Sequence, residues 1–135
     1  MRNSGNVFIG MIFLILPINM DAQSLQIQKI IVNFIDMEVD YPFSIDSIMF
    51  ESMDYQNICI IDTDKLALFQ DCLNALVQAE PEYKRLDIRR EILVIYSNCN
   101  KIKLYADNFH LLFNGTVYNY EGTLRRIIEN AVTDE

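Results

Sequence analysis

The chain holds one histidine, His110, and three cysteines, Cys59, Cys72 and Cys99, so candidates for nucleophilic or metal chemistry are few. A hydrolytic triad needs a nucleophile, a base and an orienting acid in contact. His110 offers a base, but no serine or cysteine stands in a motif that would bring it alongside. Zinc sites draw on closely spaced Cys or His pairs, and that spacing does not occur. Glycine-rich phosphate loops do not occur either. The residues imply no catalytic residue, no cofactor and no metal. Cys72 falls on the apolar side of a helical pattern and reads as a small core residue. An odd cysteine count leaves at least one thiol unpaired within the chain, and Cys59 with Cys99 is the pairing to test.

Carboxylates are the more informative group. Between Ile30 and Asp64 there is no Lys, Arg or His, but there are eight acids. Three of them, Asp36, Glu38 and Asp40, recur at every second position. On a strand that spacing puts them on one face, about 7 Å apart. Calcium loops need a glycine-enabled turn, and neither Gly115 nor Gly122 lies near these acids. Two readings of the patch stay open: a solvated acidic face, or a surface for a basic partner or a cation. The net charge of −8 opposes nucleic acid, whose phosphates demand a basic footprint. It also opposes docking to an anionic membrane surface.

The amino terminus has the form of an export signal. Arg2 stands in a short polar start, a 12-residue apolar run follows over 7–18, and Ala22 supplies a small residue at the exit. A bilayer-spanning helix needs roughly 20 such residues, so the run is too short for an anchor. Residues 1–22 are expected to be a cleaved signal peptide. Residues 23–135 then form one domain, exported to the periplasm or beyond, with no membrane insertion after cleavage.

The elements that must position these groups follow from period and turn chemistry. Residues 25–41 read as a strand, apolar on both faces at first and then alternating, and 57–61 as a second, short strand. Thr63 is the expected N-cap of a helix reaching Ala79, with Leu66, Phe69, Cys72, Leu73, Leu76 and Val77 on its apolar side. Pro81 bars its continuation. Turns at Asn98-Cys99-Asn100, Asp107-Asn108 and Asn114-Gly115 divide 86–118 into a four-stranded meander. They predict Ile92 opposite Ala106, Val94 opposite Leu104, Ala106 opposite Phe109 and Phe113 opposite Thr116. A last helix spans about 120–132. The fold class is α+β: an antiparallel sheet of this meander plus one or two N-terminal strands, with two helices packed on one face.

That register leaves a second face bearing Leu93, Ile95, Tyr105, His110, Leu112 and Val117. An apolar face of this kind needs a cover. Either residues 43–53 fold over it or a partner molecule does.

Asp87-Ile88-Arg89, the strand ending in Tyr96-Ser97-Asn98, Asn114-Gly115 with Tyr118 and the closing helix resemble a group of small exported proteins of Bacteroidetes. The Ala22-Gln23 exit is similar to exports of that phylum. The resemblance implies a fold and an address and carries no activity with it. The expected function is a non-enzymatic exported interaction module (a binder, inhibitor or immunity-like protein) with a protein partner. An accessory subunit of an envelope complex is the alternative, and a small hydrolase comes third.

Overall fold

Three tight turns set the sheet. At Asn114-Gly115 both residues have positive φ, 53° and 77°, which gives the type I′ geometry expected there. The computed structural model describes residues 25–80 and 85–134. The expected export segment and Pro81 lie outside these residues. Among the described residues the elements are β1 (Ile27–Phe34), α1 (Ser47–Glu51), β2 (Gln56–Ile60), α2 (Thr63–Leu73), β3 (Arg90–Tyr96), β4 (Lys101–Ala106), β5 (His110–Phe113), β6 (Thr116–Asn119) and α3 (Gly122–Thr133). The six strands form one antiparallel sheet in the order β2-β1-β3-β4-β5-β6, so the fold is α+β. No described helix is long and apolar enough to cross a membrane.

The chain divides into two units. Ile27–Ile95 with the residues from Lys101 onward make the larger. In the other, Ser97 donates its backbone N–H to the Gln26 carbonyl at 2.8 Å. Within that smaller unit the hairpin tip turns through Cys99 at φ 71°, with the Tyr96 N–H on the Asn100 carbonyl at 2.8 Å. The left-handed position of this turn falls on Cys99.

Two hairpins therefore pair two residues away from the expected register. Ile92 faces Leu104 and Val94 faces Ile102, while Ala106 faces Leu111. The second shift has a visible cause. The Asp107 carboxylate accepts the N–H groups of Phe109 and His110 at 2.8 and 2.7 Å, so Asp107 opens the turn and does not occupy its centre. Phe109 consequently sits at an exposed tip. A shift of two residues keeps every side chain on its face. Ile92, Val94, Leu104, Ala106 and Leu111 are all fully buried, as the pattern required.

Three other expectations are corrected. β1 stops at Phe34, because the Asp36 carboxylate accepts the Glu38 N–H at 2.8 Å and turns the chain there. Asp36, Glu38 and Asp40 therefore do not share a strand face. The cap of α2 is Asp62, not Thr63, accepting from Asp64 and Lys65. That helix ends at Leu73 and stops short of Ala79. Beyond it, Ala79 donates to the Val117 carbonyl at 2.9 Å and Asn119 to the Val77 carbonyl at 2.8 Å. The outer edge of β6 is satisfied by this segment, and its pull on the backbone overrides the helical spacing.

Candidate functional site

A cleft of about 710 Å³ lies where β1 ends, β2 begins and the last turns of α3 pass by. Its apolar lining includes Phe34, Ile35, Met37, Val39 and Val132, and its acids are Asp36, Glu38, Asp54 and Glu129. Two arginines, Arg90 and Arg125, also reach it.

Arg90 comes from the first position of β3 and is buried. Its guanidinium holds both Glu129 oxygens, at 3.0 and 2.9 Å, and donates to the Ile35 and Arg89 carbonyls at 2.7 and 3.1 Å. Tyr120 donates its hydroxyl to the same carboxylate at 2.7 Å. Burial pulls the Glu129 carboxyl upward, but the bonds from Arg90 and Tyr120 outweigh it and hold it below the usual range. Burial, reinforced by the Glu129 charge, pushes the Tyr120 hydroxyl well above its ordinary value. Arg125 is engaged as well, donating to the Asn108 carbonyl and side-chain oxygen at 3.2 and 2.7 Å. The neighbouring Arg89 fixes the acidic turn itself, with the Asp36 and Val39 carbonyls at 2.6 and 2.8 Å.

The cations of the cleft are thus spent on internal partners. Asp36, Glu38 and Asp54 are exposed acids at its wall. Apolar walls beside exposed carboxylates suit a Lys or Arg side chain, whose stem packs while its head is paired. Among the described residues no group of three or more metal-ligating side chains occurs.

The structure brings Asp36 and Glu38 together at this cleft, but Asp40 is not part of its lining. Of the residues on the second sheet face, Tyr105, Leu112 and Val117 pack against a buried cluster of Ile35, Ile45, Phe50, Leu86 and Ile88. The cover over these three comes from the same chain. Leu93 and Ile95 are half-buried. His110 pairs with Asn119 in the sheet and has Nδ1 3.5 Å from Asp107; it does not line the cleft. All three cysteines are free thiols.

A polar knot on the second face fastens the cover. Buried Glu91 accepts from Asn33 at 2.8 Å and lies 3.5 Å from Lys103. Glu51, at the end of α1, accepts from the Tyr105 hydroxyl at 3.0 Å and from Lys103 at 3.3 Å. Burial, and then the neighbouring Glu51 carboxylate, pushes the Glu91 carboxyl up. The Glu51 carboxyl is held down by its neighbour Glu91 and by Tyr105 and Lys103. Of the two acids, Glu91 is the one whose proton is held more tightly. Burial followed by the bond to Glu51 raises the Tyr105 hydroxyl to about 12.

This knot has a pH signature. A carboxyl raised in the folded state binds its proton more tightly there than in the unfolded chain. Its stabilising effect is complete below the unfolded value of about 4.3 and is lost as pH rises through the folded value. Glutamine at position 91 keeps an acceptor for Asn33 and carries no charge at any pH. The E91Q variant is expected to gain in melting temperature relative to the parent as pH rises from about 4 to 8. A parallel pair of melting curves across that range would refute the raised Glu91 carboxyl.

Sequence reasoning passed over Arg90, Glu91, Tyr120 and Glu129. A signal was present: an Arg-Arg-Glu run opening the apolar strand 90–96 demands buried partners. What it could not reveal was which residues those partners are. No protein-family model, curated protein or solved structure matches this chain.

Proposed function

We propose that the chain is an exported, non-enzymatic interaction module that holds a basic segment of a partner protein in its acidic cleft. The observation that carries this reading is the asymmetry of charge commitment at the cleft. Arg90 and Arg125 are bonded within the chain, whereas Asp36, Glu38 and Asp54 face solvent beside an apolar wall. The absence of any basic residue between Ile30 and Asp64 supports it. The export signal and the resemblance to small exported proteins of Bacteroidetes support work in the periplasm or outside the cell.

The test uses the tagged chain as bait against envelope and culture fractions. A specific partner should be retained by the parent and released by moderate salt. Neutralising the wall with D36N, E38Q and D54N together is expected to weaken retention about tenfold or more, since exposed pairs contribute roughly 0.2–1 kcal/mol each. The D40N variant, outside the cleft, should bind as the parent does. Equal loss with D40N, or none with the triple variant, would overturn the cleft as the binding site.

A further inference from the structure

The two edges of the sheet are treated differently. The β6 edge is closed by residues 77–79, which exchange backbone hydrogen bonds with Val117 and Asn119. At the other end β2 is hydrogen-bonded to β1 alone among the described residues. Its Gln56, Asn57 and Cys59 are exposed, and Ile61 beyond it is 69% exposed. Edge strands are commonly blunted by lysine, proline or a bulge. The residues Gln56–Ile60 contain neither lysine nor proline, and their register with β1 runs without interruption. Among the described residues the strand is open to a further strand.

Charge selects what can add. β2 is flanked by Asp54 on one side and by Asp62 and Asp64 on the other, with no basic residue in the segment. A second copy pairing antiparallel about Ile58 would set Asp54 of each copy against Asp62 of the other. Like charges placed opposite one another destabilise such a pairing. An extended segment carrying Lys or Arg meets attraction at both ends instead.

We infer that β2 receives a basic, extended segment of the partner as a seventh strand, continuous with the acidic cleft. The link is Asp54 and Gln56, which line the cleft and open β2. This deepens the reading of the cleft as a site for a basic segment and rests on it. The main-chain ladder supplies the geometry, and Asp36, Glu38 and Asp54 supply the sign of charge.

The experiment titrates the full chain with a synthetic peptide of alternating Lys and Val. Two peptide controls accompany it, one with alternate backbone nitrogens methylated and one with Glu in place of Lys. Binding to the Lys peptide is expected, with the methylated peptide at least tenfold weaker and the Glu peptide not bound. The C59K variant, which places a lysine on the exposed edge, should weaken the Lys peptide severalfold while its melting temperature stays that of the parent. Equal binding of the methylated peptide overturns strand addition; if D36N/E38Q/D54N still weakens it, the cleft reading stands. Sensitivity to methylation without sensitivity to those three substitutions keeps the edge and overturns the cleft. No binding of the Lys peptide overturns the inference, and capture of a partner by the parent but not the triple variant then judges the cleft by itself.

Discussion

Replacing Arg90 with methionine is expected to cost about 3–5 kcal/mol, the range for breaking one side of a buried ion pair. The variant leaves the Glu129 carboxylate with only the Tyr120 hydroxyl, and it frees the Ile35 and Arg89 carbonyls of a donor. The loss is severe because removing the cation leaves a half-buried carboxylate without its counter-charge. A domain of this kind has about 5–15 kcal/mol in all, so the variant sits close to unfolding. The double variant R90M/E129M removes the stranded charge and should recover a large part of the loss. Urea denaturation of the parent, both single variants and the double variant measures the coupling directly. Additive losses would show that the pair does not act as a unit.

The same pair fixes a sign with pH. Glu129 is held below the usual carboxyl range, so its stabilisation is present above about 4.3 and is lost as pH falls through its own depressed value. In R90M that dependence should reverse. A buried carboxyl without its cation gains from protonation, so the variant should lose less relative to the parent as pH falls toward about 4.

Phe50→Ala is expected to cost about 3–5 kcal/mol, the range for a large aromatic removed from a core. Phe50 is wholly buried at the centre of the cluster over the second face, and it stacks on Tyr55 with ring centroids 5.3 Å apart. Without it the segment carrying α1 loses the anchor that holds it over Tyr105, Leu112 and Val117. Proteolysis should then cut within residues 41–56 well before the meander. Phe43, in the same segment but 48% exposed, is the control, and F43A should stay within about 0.5 kcal/mol of the parent. Similar losses for the two variants would mean that the segment is not packed as a cover.

Much of the second face and the β5–β6 register were readable from pattern and turns, yet the register of the other two hairpins was not. Alternation has a period of two, so it rejects a slip of one residue and is blind to a slip of two. The turn at Asn114-Gly115 was legible because positive φ at both positions strongly restricts the residues that fit. At Asp107 the same residue type can sit inside a turn or cap it, and the side-chain bonds to Phe109 and His110 decide. Residues 36–40 alternate as a strand would. Their course is set by Arg89, at least fifty residues from the two carbonyls of that turn that it gathers.

The sequence by itself determined which side chains of the meander share a face, the order of the meander, and the acidic stretch without a counter-charge. Those are local properties, carried by period, turn residues and composition. Only the tertiary structure decided that Arg90 meets Glu129, that Asn33 meets Glu91, and that Asp36, Glu38 and Asp54 wall one cleft. Such pairs join residues far apart in the chain, and a charge carries no mark of its partner. The sheet brings them together, and the cost of burying them unpaired requires that they meet.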